Sequence, residues 1–366
     1  MKVSLLDPGL GRLSGHHFDL DLRLARALAR RGHEVAAHGF ASPAPDLVAA
    51  AEASGLALYP TFRAYTYQGL ASDAPDEAYR QFVDLTDEDL GAVAPADLWF
   101  WPTLAPYQFA AATARPRPTP QLGGVWFSPR SPHTVGARFW ARAARALATA
   151  PDAFTVGAYD PLLRDHYQTF SEGLEIVPLP CPHDGASDTR NRSRLRRIGF
   201  FGHQRGERGV ELLPQLITAL LARGFEVVVQ DSGGTMRRQG QHPRLVTLPF
   251  VDDFAAQLAR CDLVIWPSRW ESYVAAHSGV VSECIAAGVP VMLPSGCLPA
   301  DLAARLRTGI FFHGFSPDAI LEAVDGAADR FAAIVREARA GAAAWRRQNG
   351  ADRLVDWIEA HVAGRG

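Results

Sequence analysis

Lysine is almost absent from this chain of 366 residues. Lys2 is the only lysine, and arginine supplies the rest of the 37 basic side chains. Lys2 opens the first predicted strand, so no lysine is placed in a loop where it could form a Schiff base. The composition therefore argues against pyridoxal phosphate chemistry.

Cysteine and long apolar runs are also scarce. The four cysteines, Cys181, Cys261, Cys284 and Cys297, form no C-x-x-C pair. Their wide separation predicts reduced, mostly buried side chains rather than a disulfide framework or a zinc site. No apolar run reaches the ~18 residues of a membrane span, and the first residues lack the apolar core of a signal peptide. We therefore expect a cytoplasmic protein.

Neither sign of charge dominates the chain. The formal net charge is −2, so nothing in the electrostatics favours nucleic acid as the main partner. Hydrophobic residues make up 48% of the sequence, as in ordinary globular proteins. The length is sufficient for two domains, each with its own core.

Short apolar segments alternate with amphipathic helical segments along the whole chain. Examples are "KVSLLD" (2–7) followed by "FDLDLRLARALARRG" (18–32), and "RIGFFG" (197–202) followed by a helix expected over 208–223. Such alternation predicts an α/β fold with parallel, doubly wound sheets. We expect two Rossmann-like domains that face each other across a cleft, with ligands beyond the carboxyl ends of the strands.

The domain boundaries follow from a change in composition. Residues 181–196 are polar and rich in turn formers, which predicts a linker between an N-terminal domain (1–180) and a C-terminal domain (197–340). Residues 341–366 are expected to form a C-terminal helical segment that packs back on the N-terminal domain.

The first loop of interest, "DPGLGRLSGHHF" (7–18), links the first strand to the first helix. Its glycines, Gly15 among them, would let backbone N–H groups approach an anion at a helix N-terminus. The spacing is not that of the dinucleotide fingerprint G-x-G-x-x-G. His16 and His17 follow, and either is a candidate general base.

The second loop, "FFGHQRGERGV" (200–210), has the equivalent position in the C-terminal domain. His203, Arg205 and Arg208 cluster where a strand ends and a helix is expected to begin. A guanidinium is planar and permanently charged, which suits it to phosphate oxygens. The alternative is a solvated basic turn in which Arg208 pairs with a nearby glutamate.

The third loop leads into "SGVVSECIAAG" (278–288). Ser278 is a good helix N-cap, Gly279 permits close approach of the backbone, and Gly288 is expected to end the helix. Glu283 lies about one turn into this helix, where its carboxylate could accept the two hydroxyls of a ribose. The alternative for Glu283 is an ordinary surface glutamate.

These segments together resemble the GT-B glycosyltransferases, and in particular the group-1-type, usually retaining, enzymes. The resemblance is carried by "FFGHQRGERGV", by "DLVIWPSRWES" with "SGVVSECIAAGVPVMLP", and by "GHHFDLDLRLARALARRGHEV" in the first domain. It implies a hexosyltransferase-type enzyme of GT-B architecture. The donor is then a nucleoside-diphosphate sugar bound by the C-terminal domain, and the acceptor is bound by the N-terminal domain.

In that family a basic pair after the first strand of the second domain binds the diphosphate. Its usual second member is lysine before glycine, which corresponds here to Arg208 before Gly209. The first member corresponds to His203, with Arg205 as a substitute. The resemblance therefore assigns these side chains to the leaving diphosphate.

The resemblance also implies the contacts to the nucleoside. Glu283, in "SECIAAG", corresponds to the glutamate that binds ribose, and the turn of Ser278 and Gly279 would meet the diphosphate. The segment "LPFVDD" (248–253), with Phe250 and Val251, occupies the place where the base is held.

Two departures from the family pattern fall on sugar contacts. The family's E-x7-E motif would require glutamate at position 275, where this chain has Ala275; Glu271 is the nearest acid. A histidine usually follows a strand in the middle of the first domain. Here Ser128, Pro129 and Arg130 follow that strand.

The implied mechanism is metal-independent, has no resident cofactor, and favours retention of configuration. Arg205, Arg208 and two helix N-termini, near Gly15 and Ser278, would stabilise the departing diphosphate. Three alternatives stay open: an inverting transferase with His16 or His17 as base, a nucleotide-sugar epimerase, and a non-catalytic nucleotide-sugar-binding protein. The family's role for Glu271 would be a sugar contact.

The sequence does not identify the acceptor, which is a glycan, a lipid-linked molecule or a small molecule. Residues 135–150 are predicted to form a basic amphipathic helix with two aromatic residues, Phe139 and Trp140. Such a helix could make a peripheral contact with the inner face of a membrane. The alternative is a packed helix with an arginine-bearing face towards solvent.

Overall fold

The chain divides into two compact units, Met1–Pro182 with Ala351–Gly366, and His183–Gly350. The computed structural model describes residues 1–13, 16–68, 74–129, 131, 133–149, 151–186, 192–204, 206–231, 234, 242–248 and 253–364. The boundaries expected at residues 181–196 and at 341 stay predictions.

The first unit is built on a parallel sheet. In the part of the chain that the structure describes, its strands are β1 (Lys2–Leu6), β2 (Glu34–Phe40), β3 (Leu58–Phe62), β4 (Leu98–Trp101), β5 (Gln121–Val125), β6 (Phe154–Ala158) and β7 (Ile176–Pro178). Their spatial order is β3-β2-β1-β4-β5-β6-β7, so the direction of winding reverses between β1 and β4. All four residues of β4 are buried, as expected for a central parallel strand covered on both faces.

Helices cover this sheet because each has an apolar face of helical period. They are α1 (His17–Arg30), α2 (Pro45–Ser54), α3 (Pro75–Asp89), α4 (Pro106–Ala112), α5 (Val135–Leu147) and α6 (Pro161–Gln168). In α1, Leu20, Leu24 and Leu28 repeat every four residues and are buried. The prediction of this helix over 18–32 agrees within two residues.

The second unit repeats the plan. Its described strands are β8 (Arg197–Phe200), β9 (Glu226–Gln230), β10 (Leu245–Leu248), β11 (Leu263–Ile265), β12 (Val291–Pro294) and β13 (Gly309–Phe312). They are parallel in the order β10-β9-β8-β11-β12-β13, with the reversal between β8 and β11. Its helices are α7 (Leu213–Ala222), α8 (Phe254–Ala259), α9 (Gly279–Ala287), α10 (Leu298–Arg305), α11 (Pro317–Asp329) and α12 (Phe331–Gln348). The predicted α/β fold with two parallel sheets is confirmed.

The last helix, α13 (Ala351–Ala363), belongs to the first unit. Leu354, Val355 and Ile358 are buried on its apolar face. Its polar face is tied to the end of α1, where Arg30 bonds Asp352 at 2.7 Å. Apolar burial dominates this attachment, because exposed ion pairs contribute little free energy.

The helix expected over 208–223 begins later than predicted. Residues Gly206–Arg208 and Val210–Leu212 form short 3₁₀ turns, and α7 starts only at Leu213. Gly209 separates the two turns with φ of 69°, in the left-handed region. A Cβ there would lie 2.1 Å from the carbonyl oxygen of Pro267, so this position requires glycine.

Two expectations about composition can be compared with the structure. The four cysteines are free and buried, as predicted. Among the described residues, no helix has both the length and the apolar character needed to cross a membrane.

Candidate active site

In the second unit, the candidate residues lie at the point where the winding of the sheet reverses. The neighbouring strands β8 and β11 lead into separate loops at this point, and open parallel sheets bind ligands there. The loop after β8 carries Gly202, His203 and Arg208, and the loop after β11 carries Trp266 and Tyr273. Topology therefore brings two distant stretches of sequence to one edge.

The guanidinium of Arg208 packs over two aromatic rings of the second loop. Its Cζ lies 5.6 Å from the ring centroid of Trp266 and 5.5 Å from that of Tyr273. Cation–π contacts of this kind hold a cation in place without neutralising it. Glu211, a glutamate near Arg208 in the sequence, accepts from Arg269 at 2.6 Å.

Arg208 also lies beside the start of α9. A Cβ at Gly202 would be 3.0 Å from Nη1 of Arg208 and 3.2 Å from Cγ2 of Val280, in the first turn of α9. Ser278 caps this helix, since its hydroxyl accepts from the backbone N–H of Val281 at 3.5 Å, and Gly288 ends it with φ of 68°. The predicted N-cap and C-terminus are confirmed. A permanent cation and a helix N-terminus thus meet at one glycine, an arrangement that suits a diphosphate.

Glu283 is not an ordinary surface glutamate. It is 2% exposed, and its Oε1 lies 2.7 Å from Nδ1 of His183. The turn that carries His183 is held against α9, because a Cβ at Gly185 would lie 2.4 Å from the backbone of Ala286. Trp345 donates to the His183 carbonyl at 2.8 Å. The orientation of the Glu283 carboxylate is therefore set by packing.

A second histidine lies beside this pair. His277 is buried in the turn before α9, and its Nε2 lies 2.6 Å from Oγ of Ser282. Burial, with a smaller effect of nearby His183, lowers the pKa of His277 to about 3. His277 therefore adds no positive charge beside Glu283 at physiological pH.

The other residues predicted for the donor are placed as follows. His203 is exposed on the loop after β8, and Glu271 is exposed in the turn Trp270–Tyr273. Ala275, which stands where the family has glutamate, is buried. Four candidates lie outside the described residues, namely Gly15, Arg205, Phe250 and Val251. Their roles stay predictions.

In the first unit, a second polar group lies at the reversal between β1 and β4. Asp7 follows β1, and its Oδ2 lies 2.6 Å from Nδ1 of His17, the first residue of α1. Its Oδ1 accepts from the backbone N–H of Gly9 at 2.9 Å and from the hydroxyl of Thr103, after β4, at 3.1 Å. Asp7 is therefore anchored by donors from both central strands and orients the imidazole.

The two adjacent histidines differ in their surroundings. His17 is buried, and its Nε2 lies 2.7 Å from the hydroxyl of Tyr67. His16 is half-buried and stacks between His17 and Trp126, with ring centroids 4.4 and 5.5 Å away. His17 has the carboxylate partner, Asp7, that orients a general base.

A further carboxylate lies in α1, close to the Asp7–His17 pair. Asp21 is one helical turn after His17 in α1 and is fully buried. Neither carboxylate oxygen has a hydrogen-bond partner among the described residues. Burial, reinforced by the charge of Asp7, raises the pKa of Asp21 well above its usual value.

The helix considered for membrane contact is α5. Phe139 and Trp140 are buried in the first unit, and Trp140 donates to Ser171 at 2.7 Å. Arg138 bonds the carbonyl of His133 at 2.7 Å and pairs with Asp76. The structure agrees with a packed helix whose arginines face outward, and the membrane contact stays a prediction.

Sequence reasoning missed Asp7, Thr103 and His183. Asp7 had a usable signal, because it is an acid at the carboxyl end of the first strand, nine and ten residues before the two adjacent histidines. No comparable pattern in the sequence pointed to Thr103 or His183. His183 lies in the segment interpreted as linker, and only the packing of that segment on α9 reveals its contact with Glu283.

A comparison with known protein families agrees with this geometry. Residues 196–330 match the family model described as Glycosyl transferases group 1. A glycosyltransferase domain is thus confirmed for that part of the second unit, and the domain is that of an enzyme family, as predicted. It includes Arg208, Ser278 and Glu283. No curated protein sequence matches the chain.

Solved structures extend the likeness to the whole chain. Sucrose-phosphate synthase from Thermosynechococcus elongatus is 11% identical over 100% of both chains, with a TM-score of 0.66. Anabaena Alr3699/HepE, in complex with UDP, is 14% identical over 100% of both chains, with a TM-score of 0.65. SsfS6, the glycosyltransferase of Streptomyces sp. SF2575 in complex with thymidine diphosphate, is 19% identical over 98% of this chain and 99% of that one, with a TM-score of 0.59. Identities this low establish the fold alone, which is the predicted GT-B fold.

Proposed function

We propose that this chain transfers a glycosyl group from a nucleoside-diphosphate sugar to a hydroxyl of an acceptor. The observation that carries the proposal is the position of Arg208 beside Gly202 and the N-terminus of α9, within the glycosyltransferase domain. Negative charge grows on the diphosphate as the bond to the sugar breaks. A fixed guanidinium and a helix N-terminus stabilise that charge.

Glu283 is the proposed partner of the ribose hydroxyls. Its carboxylate is acceptor-only, and His183 holds Oε1 in one orientation. The structural neighbours with UDP and thymidine diphosphate make these two nucleotides the first to test. Arg208 and α9 supply positive charge where many transferases place a metal ion. We therefore include independence of metal and of any resident cofactor in the proposal.

The first experiment measures melting temperatures with UDP and with thymidine diphosphate. A ligand at 100 times its Kd should stabilise the protein by roughly 2.7 kcal/mol, which corresponds to a shift of about 2–4 °C. Glu283→Gln removes the charge that the ribose meets, and should weaken nucleotide binding by roughly ten- to a hundredfold. Glu322→Gln, an exposed glutamate in α11 of the same unit, is the matched control and should bind as the wild type does.

A stabilising shift that is lost in Glu283→Gln and kept in Glu322→Gln supports the donor site. Equal shifts in all three proteins would contradict the role of Glu283. No shift with either nucleotide in the wild type would contradict these two nucleotides as donor components.

The Asp7–His17 pair favours inversion over the retention expected from the family resemblance. An inverting transfer requires a base that takes the proton of the acceptor hydroxyl. Asp7 accepts the Nδ1 proton of His17, leaves Nε2 as the basic atom, and would stabilise the imidazolium that forms. In a retaining transfer, the departing diphosphate takes the proton of the acceptor hydroxyl, and the Asp7–His17 pair has no role in the proton transfer.

Proton NMR of the sugar product distinguishes the two outcomes. With UDP-glucose or TDP-glucose, whose sugars are α-linked, inversion yields a β-glucosyl product, and His17→Gln should slow its formation by roughly a hundredfold or more. A product with α configuration would contradict the base assigned to His17. EDTA should leave the rate unchanged.

A further inference from the structure

Tyr67, Asp7 and His17 form a continuous hydrogen-bonded series in the first unit. Asp7 Oδ2 lies 2.6 Å from Nδ1 of His17, and the Tyr67 hydroxyl lies 2.7 Å from Nε2 of the same ring. The ring fits here because Gly9 has no side chain, since a Cβ at Gly9 would lie 2.2 Å from Cε1 of His17. The position of the imidazole relative to both partners is therefore set by close packing.

When the imidazole of His17 is neutral, its two partners determine which ring nitrogen carries the proton. A carboxylate only accepts hydrogen bonds, so Nδ1 of His17 carries the proton that Asp7 accepts. In the neutral imidazole Nε2 is then an acceptor, to which the Tyr67 hydroxyl can donate. This is the arrangement of a hydroxyl activated by a histidine that a carboxylate orients.

Exposure separates Tyr67 from the other two residues. Tyr67 is 48% exposed, whereas His17 is 1% exposed and Asp7 is fully buried. Tyr67 is therefore the one member of the series with a large exposed fraction, and His17 Nε2 lies behind its hydroxyl. The rings of Tyr65 and Phe40 extend the surface, with the Tyr65 centroid 5.7 Å from that of Tyr67 and 4.8 Å from that of Phe40.

We infer that Tyr67 is a catalytic residue that relays the proton of the acceptor hydroxyl to His17. This inference rests on the proposed function. The acceptor oxygen forms its bond to the anomeric carbon while the bond from that carbon to the diphosphate oxygen breaks, and the electron pair leaves with the diphosphate. The acceptor proton passes to the Tyr67 oxygen as the Tyr67 proton passes to Nε2 of His17. The imidazolium is stabilised by Asp7, and tyrosine ends the step neutral.

The test compares Tyr67→Phe with Tyr59→Phe. Tyr59 is a matched control because it is exposed on the neighbouring strand β3, where it stacks on His38 with ring centroids 5.3 Å apart and has no part in the Asp7–His17 pair. The donors are UDP-glucose and TDP-glucose. The acceptors are benzyl alcohol, whose hydroxyl keeps its proton, and 4-nitrophenol at mildly alkaline pH, where it is largely ionised and needs no base.

The relay predicts that the loss of activity in Tyr67→Phe depends on the acceptor. With benzyl alcohol, kcat of Tyr67→Phe should fall by roughly a hundredfold or more, as expected for loss of acid–base catalysis. With 4-nitrophenol, the variant should keep most of the wild-type rate. Tyr59→Phe should match the wild type with both acceptors. The melting shift produced by UDP or thymidine diphosphate should be equal in all three proteins.

Other outcomes overturn the relay. An unchanged or higher rate of Tyr67→Phe with benzyl alcohol would show that the phenol transfers no proton. An equal loss with both acceptors would show that Tyr67 only holds structure or binds the acceptor. If the wild type binds nucleotide but transfers to neither acceptor nor water, the proposed function fails and the relay with it.

Discussion

At the scale of single residues, Asp21 is the least expected feature of the first unit. It is a buried carboxyl without a hydrogen-bond partner among the described residues, and its pKa is raised by burial and by Asp7. An acid whose pKa is raised in the folded state does not lower the free energy of unfolding at a pH below its unfolded pKa, because both states are then protonated. The cost appears as pH rises, because the unfolded chain then ionises while the folded one does not.

Asp21→Asn should therefore raise the melting temperature, and the gain should grow as the pH rises above ~4, the ordinary pKa of an aspartate. A gain of about 1–3 kcal/mol at pH 8 is reasonable for a buried acid without partners. Thermal melts at several pH values measure it, and Asp19→Asn, an exposed acid in the same helix, is the control. A gain that is independent of pH would contradict the raised pKa of Asp21.

At the scale of elements, the sequence predicted α9 well and the loop after β8 poorly. The caps of α9 are local signals, since Ser278 and Gly288 act on their own helix ends. The late start of α7 is not a local matter. Gly209 has a left-handed conformation, and the carbonyl of Pro267, 58 residues away along the chain, occupies the space where a side chain would begin. That approach places Arg208 over Trp266.

The helix α13 provides a prediction at the same scale. A chain that ends at Gly350 exposes the surface that Leu354, Val355 and Ile358 bury, which amounts to about 1.5–3 kcal/mol for each side chain. We expect calorimetry to show a large fall in the melting temperature of the first unit. Binding of UDP or thymidine diphosphate by the second unit should persist.

Arg30→Ala is the control for this truncation. It breaks only the exposed pair with Asp352, and should cost less than about 1 kcal/mol. Wild-type melting of the truncated chain would contradict the attachment of α13 to the first unit.

At the scale of the whole molecule, both candidate sites have the same position: their residues lie in the loops that follow the two central strands of a parallel sheet. Asp7 and Thr103 follow the two central strands of the first sheet, and Arg208 and Trp266 follow those of the second. The alternation of strands and helices along the chain predicts that such sheets exist, because each helix and each sheet must bury its apolar surface against another element. It does not specify which strands are neighbours.

The sequence by itself determined the α/β class, the two parallel sheets, the caps of α9 and the residue types suited to a diphosphate. Each depends on periodicity or on neighbours within a few positions, so it is readable from one stretch of chain. Only the tertiary structure decided that Tyr67 bonds His17, and that His183 orients Glu283. The physical reason is distance along the chain. Residues 50 or 100 positions apart meet only when the packing of whole elements brings them together, and no local pattern records that packing.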